Sequence, residues 1–371
     1  MKTKALRIGV LTGGGDCPGL NAAIRAVSKS LMINCSAKII GIQDGFLGLI
    51  EQRTKIINYT DCSGILSQGG TILGTNNSAS PFNYYGKDVS NKVMDYYQSL
   101  GLDGLVVIGG DGSLSIAYEM SKLGMNIVGI PKTIDNDLVG TDRTFGFDTA
   151  VSIVTDALDR LRTTGQSHKR VMILETMGRY AGWIALHAGI AGGADVILIP
   201  EFDYDIDDVA KACTMRMGEQ HYSIVVVAEG AKQIGGELTV RETTEFGADP
   251  IRLGGVANIL KMQLEQKIDA EIRATTLGYI QRGGSPTAFD RIFATDLGSY
   301  AASLVANKQF GSVVIWKNNL LCSTSLKNVA NKSRLVTTQD PALASALSMG
   351  ICFGNADLKA GLRSVKYEMP S

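Results

Sequence analysis

The chain has no net charge to offer. Its 371 residues carry 36 lysines and arginines against 36 aspartates and glutamates, which removes any global attraction to nucleic acid or to an anionic membrane. An anion bound by this protein must be held locally. Cysteine pairing motifs are missing too: Cys17, Cys35, Cys62, Cys213, Cys322 and Cys352 are scattered with no CxxC pair, which argues against a disulfide framework or a zinc site and suits reduced thiols. No apolar run approaches the ~20 residues of a membrane span. Met1 to Lys4, followed at once by Ala5–Val10, lacks a signal-peptide pattern, so a cytoplasmic protein is expected. Charged residues are few, 19% against 45% hydrophobic, which excludes intrinsic disorder. Proline is sparse at 8 while glycine reaches 43. That excess is neither periodic nor gathered in a linker, so a collagen-like chain is excluded and the glycines are expected at particular backbone positions.

The length suffices for two domains. Arg7–Thr12, Lys38–Ile42, Leu105–Ile108, Asn126–Ile130, Val171–Leu174, Val196–Ile199, Ser223–Ala228 and Val313–Trp316 are continuous apolar runs, as strands covered on both faces must be. Asn21–Ile33, Asp148–Arg162, Gly182–Ala191, Ile206–Met217 and Leu253–Gln266 read as helices. In the second of these, Val151, Val154, Leu158 and Leu161 form one apolar stripe. This alternation predicts an α/β fold with mostly parallel, doubly wound sheets, and Gly140 to Asp148 reads as a crossing into a second lobe. Ligands of such sheets bind outside the carboxyl ends of the strands, which is where the glycines gather.

Three glycine-rich or acidic turns follow strands. Gly13-Gly14-Gly15-Asp16-Cys17-Pro18-Gly19 lets the backbone approach a phosphate closely, or it is simply a tight turn. It is neither a Walker loop nor GxGxxG. Cys17 has no histidine near it in sequence and is not read as a nucleophile. Gly109-Gly110-Asp111-Gly112-Ser113 sets a carboxylate where it can meet Mg²⁺ bridging nucleotide phosphates; the plainer alternative is an Asp-Gly turn with Ser113 capping a helix. Pro131-Lys132-Thr133-Ile134-Asp135-Asn136-Asp137 places two carboxylates two residues apart beside a lysine, which suits a base and a partner that orients it.

Together with Met177-Gly178-Arg179 and Gln281-Arg282-Gly283-Gly284-Ser285-Pro286, these segments resemble the 6-phosphofructokinase family of the phosphofructokinase-A type, in order from Ile8 to about Arg291. The resemblance implies two Rossmann-like three-layer lobes with the active site in the cleft between them. The donor lobe would be 1–145 plus about 285–335, and the sugar-phosphate lobe 146–284 plus part of the C-terminal stretch. It implies transfer of a phosphoryl group from ATP, with Mg²⁺, to the 1-hydroxyl of fructose 6-phosphate. Gly15 and Gly110 to Ser113, Gly112 included, resemble the donor-phosphate loops, with Asp111 on the metal. Asp135 resembles the general base and Asp137 its companion, with Thr133 near the transferred group and Ile134 beside the sugar. Met177, Gly178 and Arg179 resemble the segment that meets substrate, and Glu229 the carboxylate that grips sugar hydroxyls. Arg170, Arg273 and Arg282 are similar to the arginines that clamp the 6-phosphate, a task for bidentate forks. One such group comes from a neighbouring subunit in many family members, which implies a homodimer or homotetramer with shared active sites.

The chain departs from the bacterial allosteric type at several positions. Tyr279 stands where histidine is usual, Asn77 replaces an arginine near the ATP phosphates, and Tyr59, Gly218 and Gln220 fall where basic residues hold an effector phosphate, so weak or absent effector control is expected. Donor choice turns on two residues of opposite sign. Gly112 leaves room for the α-phosphate of a nucleotide, where pyrophosphate-dependent relatives carry aspartate. Lys132 is the residue typical of pyrophosphate enzymes. Exclusion outweighs attraction in a partly dry site, so ATP is expected and a pyrophosphate-dependent 1-phosphotransferase is the alternative. An NAD-kinase-like enzyme would share GGDG but lack the TIDND and QRGGSP segments, and both are present.

Overall fold

A computed structural model describes residues 5–243 and 251–358. Met1–Lys4, part of the leader reading, and the last part of the C-terminal stretch lie outside them. The chain divides into two compact units. One takes the described residues of Met1–Thr149 and Arg282–Arg334, and the other those of Ala150–Thr243, Ile251–Gln281 and Leu335–Ser371.

The strands, in chain order, are β1 (Arg7–Thr12), β2 (Lys38–Ile42), β3 (Thr54–Ile57), β4 (Gly104–Gly109), β5 (Ile127–Pro131), β6 (Val171–Thr176), β7 (Val196–Leu198), β8 (Ser223–Ala228), β9 (Val240–Thr243), β10 (Ile251–Leu253), β11 (Ile272–Thr276), β12 (Ser312–Lys317) and β13 (Leu320–Ser325). In the first unit seven of them form one sheet in the order β13-β12-β5-β4-β1-β2-β3. Its interior pairs are parallel, and only the edges, β3 on β2 and β13 on β12, are antiparallel. From β1 the chain winds one way to β2, and from β4 the other way to β5 and β12. The strand order therefore reverses between β1 and β4, and a crevice opens outside their carboxyl ends.

Burial explains why the interior strands form. Leu11, Ile42, Leu105 and Val107 pack with Leu114, Ala117 and Met120 of the helix Asp111–Lys122. Elsewhere in this unit the helices Leu20–Cys35 and Ala288–Ala306 lie against each other. A methyl group at Gly298 would come within 2.8 Å of the Ala23 carbonyl oxygen, so the two backbones approach as closely as they do because that position has no side chain.

The second unit holds a parallel sheet in the order β11-β6-β8-β7 and a separate antiparallel pair, β9 and β10. Val171, Ile173, Val225 and Val227 of the sheet are packed with Val256, Leu260 and Leu264 of the helix Val256–Glu265. The helix expected from Leu253 starts later, at Val256. Leu253 ends β10, and Gly254 and Gly255, with φ of 141° and 95°, break the chain before the helix begins. The buried Glu175 carboxylate then accepts from the N–H groups of Gly255 and Ala257 and caps the new helix. The helix read as Asp148–Arg162 extends over Phe147–His168, with Val154 and Leu158 of its stripe fully buried. Among the described residues no helix is long and apolar enough to cross a membrane.

Candidate active site

In the first unit the crevice between β1 and β4 gathers three loops. Gly13 N–H donates to the Ile108 carbonyl and Gly14 N–H to that of Asn76, while the Thr75 hydroxyl donates to the Gly14 carbonyl. A methyl group at Gly13 would lie 2.6 Å from Ser113 Oγ, and one at Gly109 2.4 Å from Ser113 Cβ. The glycines are thus required by Ser113, which fills the space between the two turns. Ser113 does not cap the helix Asp111–Lys122. The N-cap is Gly110, with no side-chain hydrogen bond, so the first N–H groups of that helix keep their capacity for an anion. Gly112 is exposed, and a side chain there would meet nothing within 4 Å.

The segment after β5 crosses the same crevice. Lys132 N–H donates to the Gly109 carbonyl, and its buried ammonium donates to the carbonyl of Gly15. Asp135 N–H donates to the Thr133 hydroxyl. Asn136 has a φ of 52°, a conformation asparagine tolerates better than most residues, and its amide oxygen accepts from Thr144 N–H. Arg334 holds the far side of the turn, donating from its guanidinium to the Asn136 carbonyl and from its N–H to that of Asp137. Ile134, expected beside the sugar, is a buried residue.

Desolvation raises both carboxyls of this loop above their ordinary range. For Asp135 the charges of Arg282 and then Lys132 oppose the rise, and for Asp137 the charge of Asp135 adds to it. Two interacting carboxylates titrating toward neutrality are the setting of a general base. Arg282, read as a sugar-phosphate residue, is placed at the glycine loop: a methyl group at Gly15 would lie 2.0 Å from its Nη1, which donates to the Asp16 carbonyl at 3.3 Å. Cys17 is a core residue, buried against Gly146, with its thiol pushed up to about 12 by burial, which agrees with reading it as no nucleophile.

Asp111 tests the expected Mg²⁺. Burial raises its carboxyl, opposed by hydrogen bonds from Ser115 and from the backbone of Asn331 and Lys332. A carboxylate of that kind at a helix start fits an ion that takes one protein oxygen and the rest from phosphates and water. Among the described residues no cluster of three acidic, histidine or cysteine side chains could hold a metal alone.

The second unit separates its candidate residues between the two ends of its sheet. After the carboxyl end of β6, Met177 N–H donates to the amide oxygen of the buried Gln281. Gly178 has a φ of 137° and its carbonyl accepts from Gly230 N–H. A methyl group at Gly230 would lie 1.9 Å from the Arg179 carbonyl oxygen, so this turn fixes where Arg179 leaves the backbone. The Arg179 guanidinium lies 5.0 Å from the centre of the Tyr180 ring. Glu229 follows β8, with its N–H on the Thr176 carbonyl, and the exposed Tyr279 follows β11. Arg170 and Arg273 stand at the opposite, amino end, where both pair with Glu271.

Several supporting residues were not singled out in sequence. Gln281 lay inside a quoted motif without a role, Asn136 lay between two named aspartates, and Glu271 had only its spacing of two from Arg273 as a signal.

The chain is similar to known proteins over nearly its whole length. The family model described as Phosphofructokinase matches residues 7–305. An ATP-dependent 6-phosphofructokinase 2 of Clostridium perfringens is 46% identical over 361 residues, covering 94% of this chain and 98% of that protein. A pyrophosphate–fructose 6-phosphate 1-phosphotransferase of Streptomyces coelicolor is 43% identical over 350 residues, covering 94% and 100%. A solved pyrophosphate-dependent phosphofructokinase from Marinobacter aquaeolei shares the fold, with a TM-score of 0.78 at 20% identity over 99% of this chain and 93% of that one. With a glycine-lined crevice, a paired-aspartate loop and relatives that match nearly end to end, the chain belongs to the phosphofructokinase family.

Proposed function

We propose that this protein is a glycolytic, cytoplasmic kinase that transfers a phosphoryl group from ATP to the 1-hydroxyl of fructose 6-phosphate, giving fructose 1,6-bisphosphate and ADP. The observation that carries the reading is the meeting, in one unit, of the Gly15 and Gly110–Ser113 turns with Lys132, Thr133, Asp135 and Asp137. The donor phosphates lie on the glycine turns and the first N–H groups of the helix Asp111–Lys122, with Arg282 adding charge at Gly15. Asp111 holds Mg²⁺, which when bound neutralises charge on the donor phosphates. The Asp135 carboxylate takes the proton of the sugar 1-hydroxyl as its oxygen bonds to the terminal phosphorus and the bond to ADP breaks. Burial keeps Asp135 basic, Asp137 is its companion, and Thr133 lies near the transferring group. Met177, Gly178, Arg179 and Glu229 take the sugar.

ATP is favoured over pyrophosphate by Gly112, whose open surroundings leave room for an α-phosphate. Lys132 supports the alternative donor less than its identity suggests, because its ammonium is engaged by the Gly15 carbonyl. Purified protein with Mg²⁺ and fructose 6-phosphate should turn over with ATP in a coupled assay. Turnover with pyrophosphate and not ATP would reverse the assignment.

The sheet of the second unit supports shared sites. Arg170 precedes β6 and Met177 follows it, and at ~3.3 Å per residue the intervening strand separates them by roughly 20 Å. A hexose phosphate cannot span that distance. We therefore assign Arg170 and Arg273 to the 6-phosphate of a neighbouring copy's substrate, in a homodimer or homotetramer.

A further inference from the structure

We infer that Glu271 is a resident counter-ion of the Arg170–Arg273 pair and sets how strongly that pair takes a phosphate monoester; this rests on the clamp role proposed above. The geometry begins in the strands. β6 and β11 run parallel with Val171 opposite Ile272, which brings Arg170 beside Glu271, and the two-residue repeat of a strand puts Arg273 on the same face as Glu271. Arg170 Nε donates to Glu271 Oε2 at 2.5 Å, and Arg273 Nη2 donates to Oε1. One carboxylate thus gives one oxygen to each guanidinium, as two oxygens of a phosphate would across the same forks.

Glu271 and Arg273 keep 42% and 51% of their side-chain surface exposed. The carboxylate can therefore swing into solvent, and Arg170, only 20% exposed, then gains from a replacing anion. While it is seated, the pair presents one net positive charge rather than two, with one donor of each guanidinium already in use. A singly charged anion has little advantage over the seated carboxylate, whereas a phosphate dianion does. Glu271 accordingly lowers affinity for anions in general and favours the doubly charged ester, which makes it a specificity-determining residue rather than a catalytic one.

The test uses the full-length enzyme and its Glu271→Gln and Glu271→Ala variants, with fructose 6-phosphate varied at saturating ATP and inorganic phosphate as the competing anion. The KM for fructose 6-phosphate should fall about threefold to tenfold, with the change in KM rather than kcat. Inhibition by inorganic phosphate should set in at a concentration lower by a similar factor. A KM that rises, or a KM and phosphate inhibition that both stay unchanged, would overturn the inference, since a carboxylate that merely props the arginines loosens the clamp when removed. Arg170→Ala and Arg273→Ala, measured alongside, report on the clamp itself. If neither raises the KM, the clamp assignment fails, and the role of Glu271 falls with it for that separate reason.

Discussion

Asp290 and Thr149 hold each other through two hydrogen bonds: one carboxylate oxygen of Asp290 accepts from both the N–H and the hydroxyl of Thr149, at 2.8 and 2.5 Å. The other oxygen accepts from Gly146 N–H at 2.9 Å. Thr287 closes the arrangement, with its hydroxyl on Asp148 and its N–H on the Thr149 hydroxyl. The starts of the helices Phe147–His168 and Ala288–Ala306 are thereby tied together.

Burial lifts the Asp290 carboxyl from 3.8 to about 6, so the fold favours its protonated form. This group's contribution to stability is fully present below pH ~4 and is lost as pH rises through about 6. In Asp290→Asn two N–H donors and a hydroxyl face an amide with a single acceptor oxygen, which destabilises the protein at every pH. The difference from wild type should be largest near pH 4 and shrink toward neutrality by on the order of 3 kcal/mol. Urea denaturation across that range measures it, and a difference that does not vary with pH would contradict the raised carboxyl.

Donor identity turns on Gly112. Because a side chain there meets nothing within 4 Å, Gly112→Asp should leave the thermal midpoint nearly unchanged and act only on the ligand. The kcat/KM with ATP should drop by at least ~10²-fold, about 3 kcal/mol for a carboxylate set against a phosphate. Pyrophosphate use should rise relative to ATP. Equal loss with both donors would mean that the position disturbs the loop rather than choosing the donor.

The raised carboxyls of Asp135 and Asp137 determine the acid side of the rate profile. A base must be ionised to act, so activity should be lost on the acid side at a pH above the range where an ordinary aspartate protonates. Asp135→Asn should abolish turnover while sparing binding of the sugar phosphate. In Asp137→Asn burial still raises Asp135, so the acid limb should stay above the ordinary aspartate range even though the rate is reduced. A limb that drops to the ordinary aspartate range would show that Asp137, rather than burial, raises the base.

The legibility of this fold in its sequence follows burial. β1, β2 and β8 have the expected bounds because strands covered on both faces are unbroken apolar runs. The edge strand β13 and the mixed β11 were not read as strands. Their burial alternates or is partial, and β11 carries Arg273 and two threonines among its five residues. Glycine and aspartate at strand ends announced the crevice because backbone geometry demands them locally. Arg282 on the Gly15 turn and Glu271 between two arginines could not be read that way, since they join residues 266 and 101 positions apart. Such contacts are made by the packing of the sheet, not by any local spacing.

The parallel run of β6, with Arg170 before it and Arg179 after it, makes complementation between defective chains possible. An Arg170→Ala chain keeps its own base, and an Asp135→Asn chain keeps its own clamp. Each alone should be nearly inactive. If clamp and base act in trans, subunits exchanged at equal amounts would rebuild native sites from one member of each kind, about a quarter of all sites by random pairing. Recovery of activity on mixing, and its absence when the two substitutions are placed in one chain, would read the direction of a single strand as a rule of inheritance between subunits.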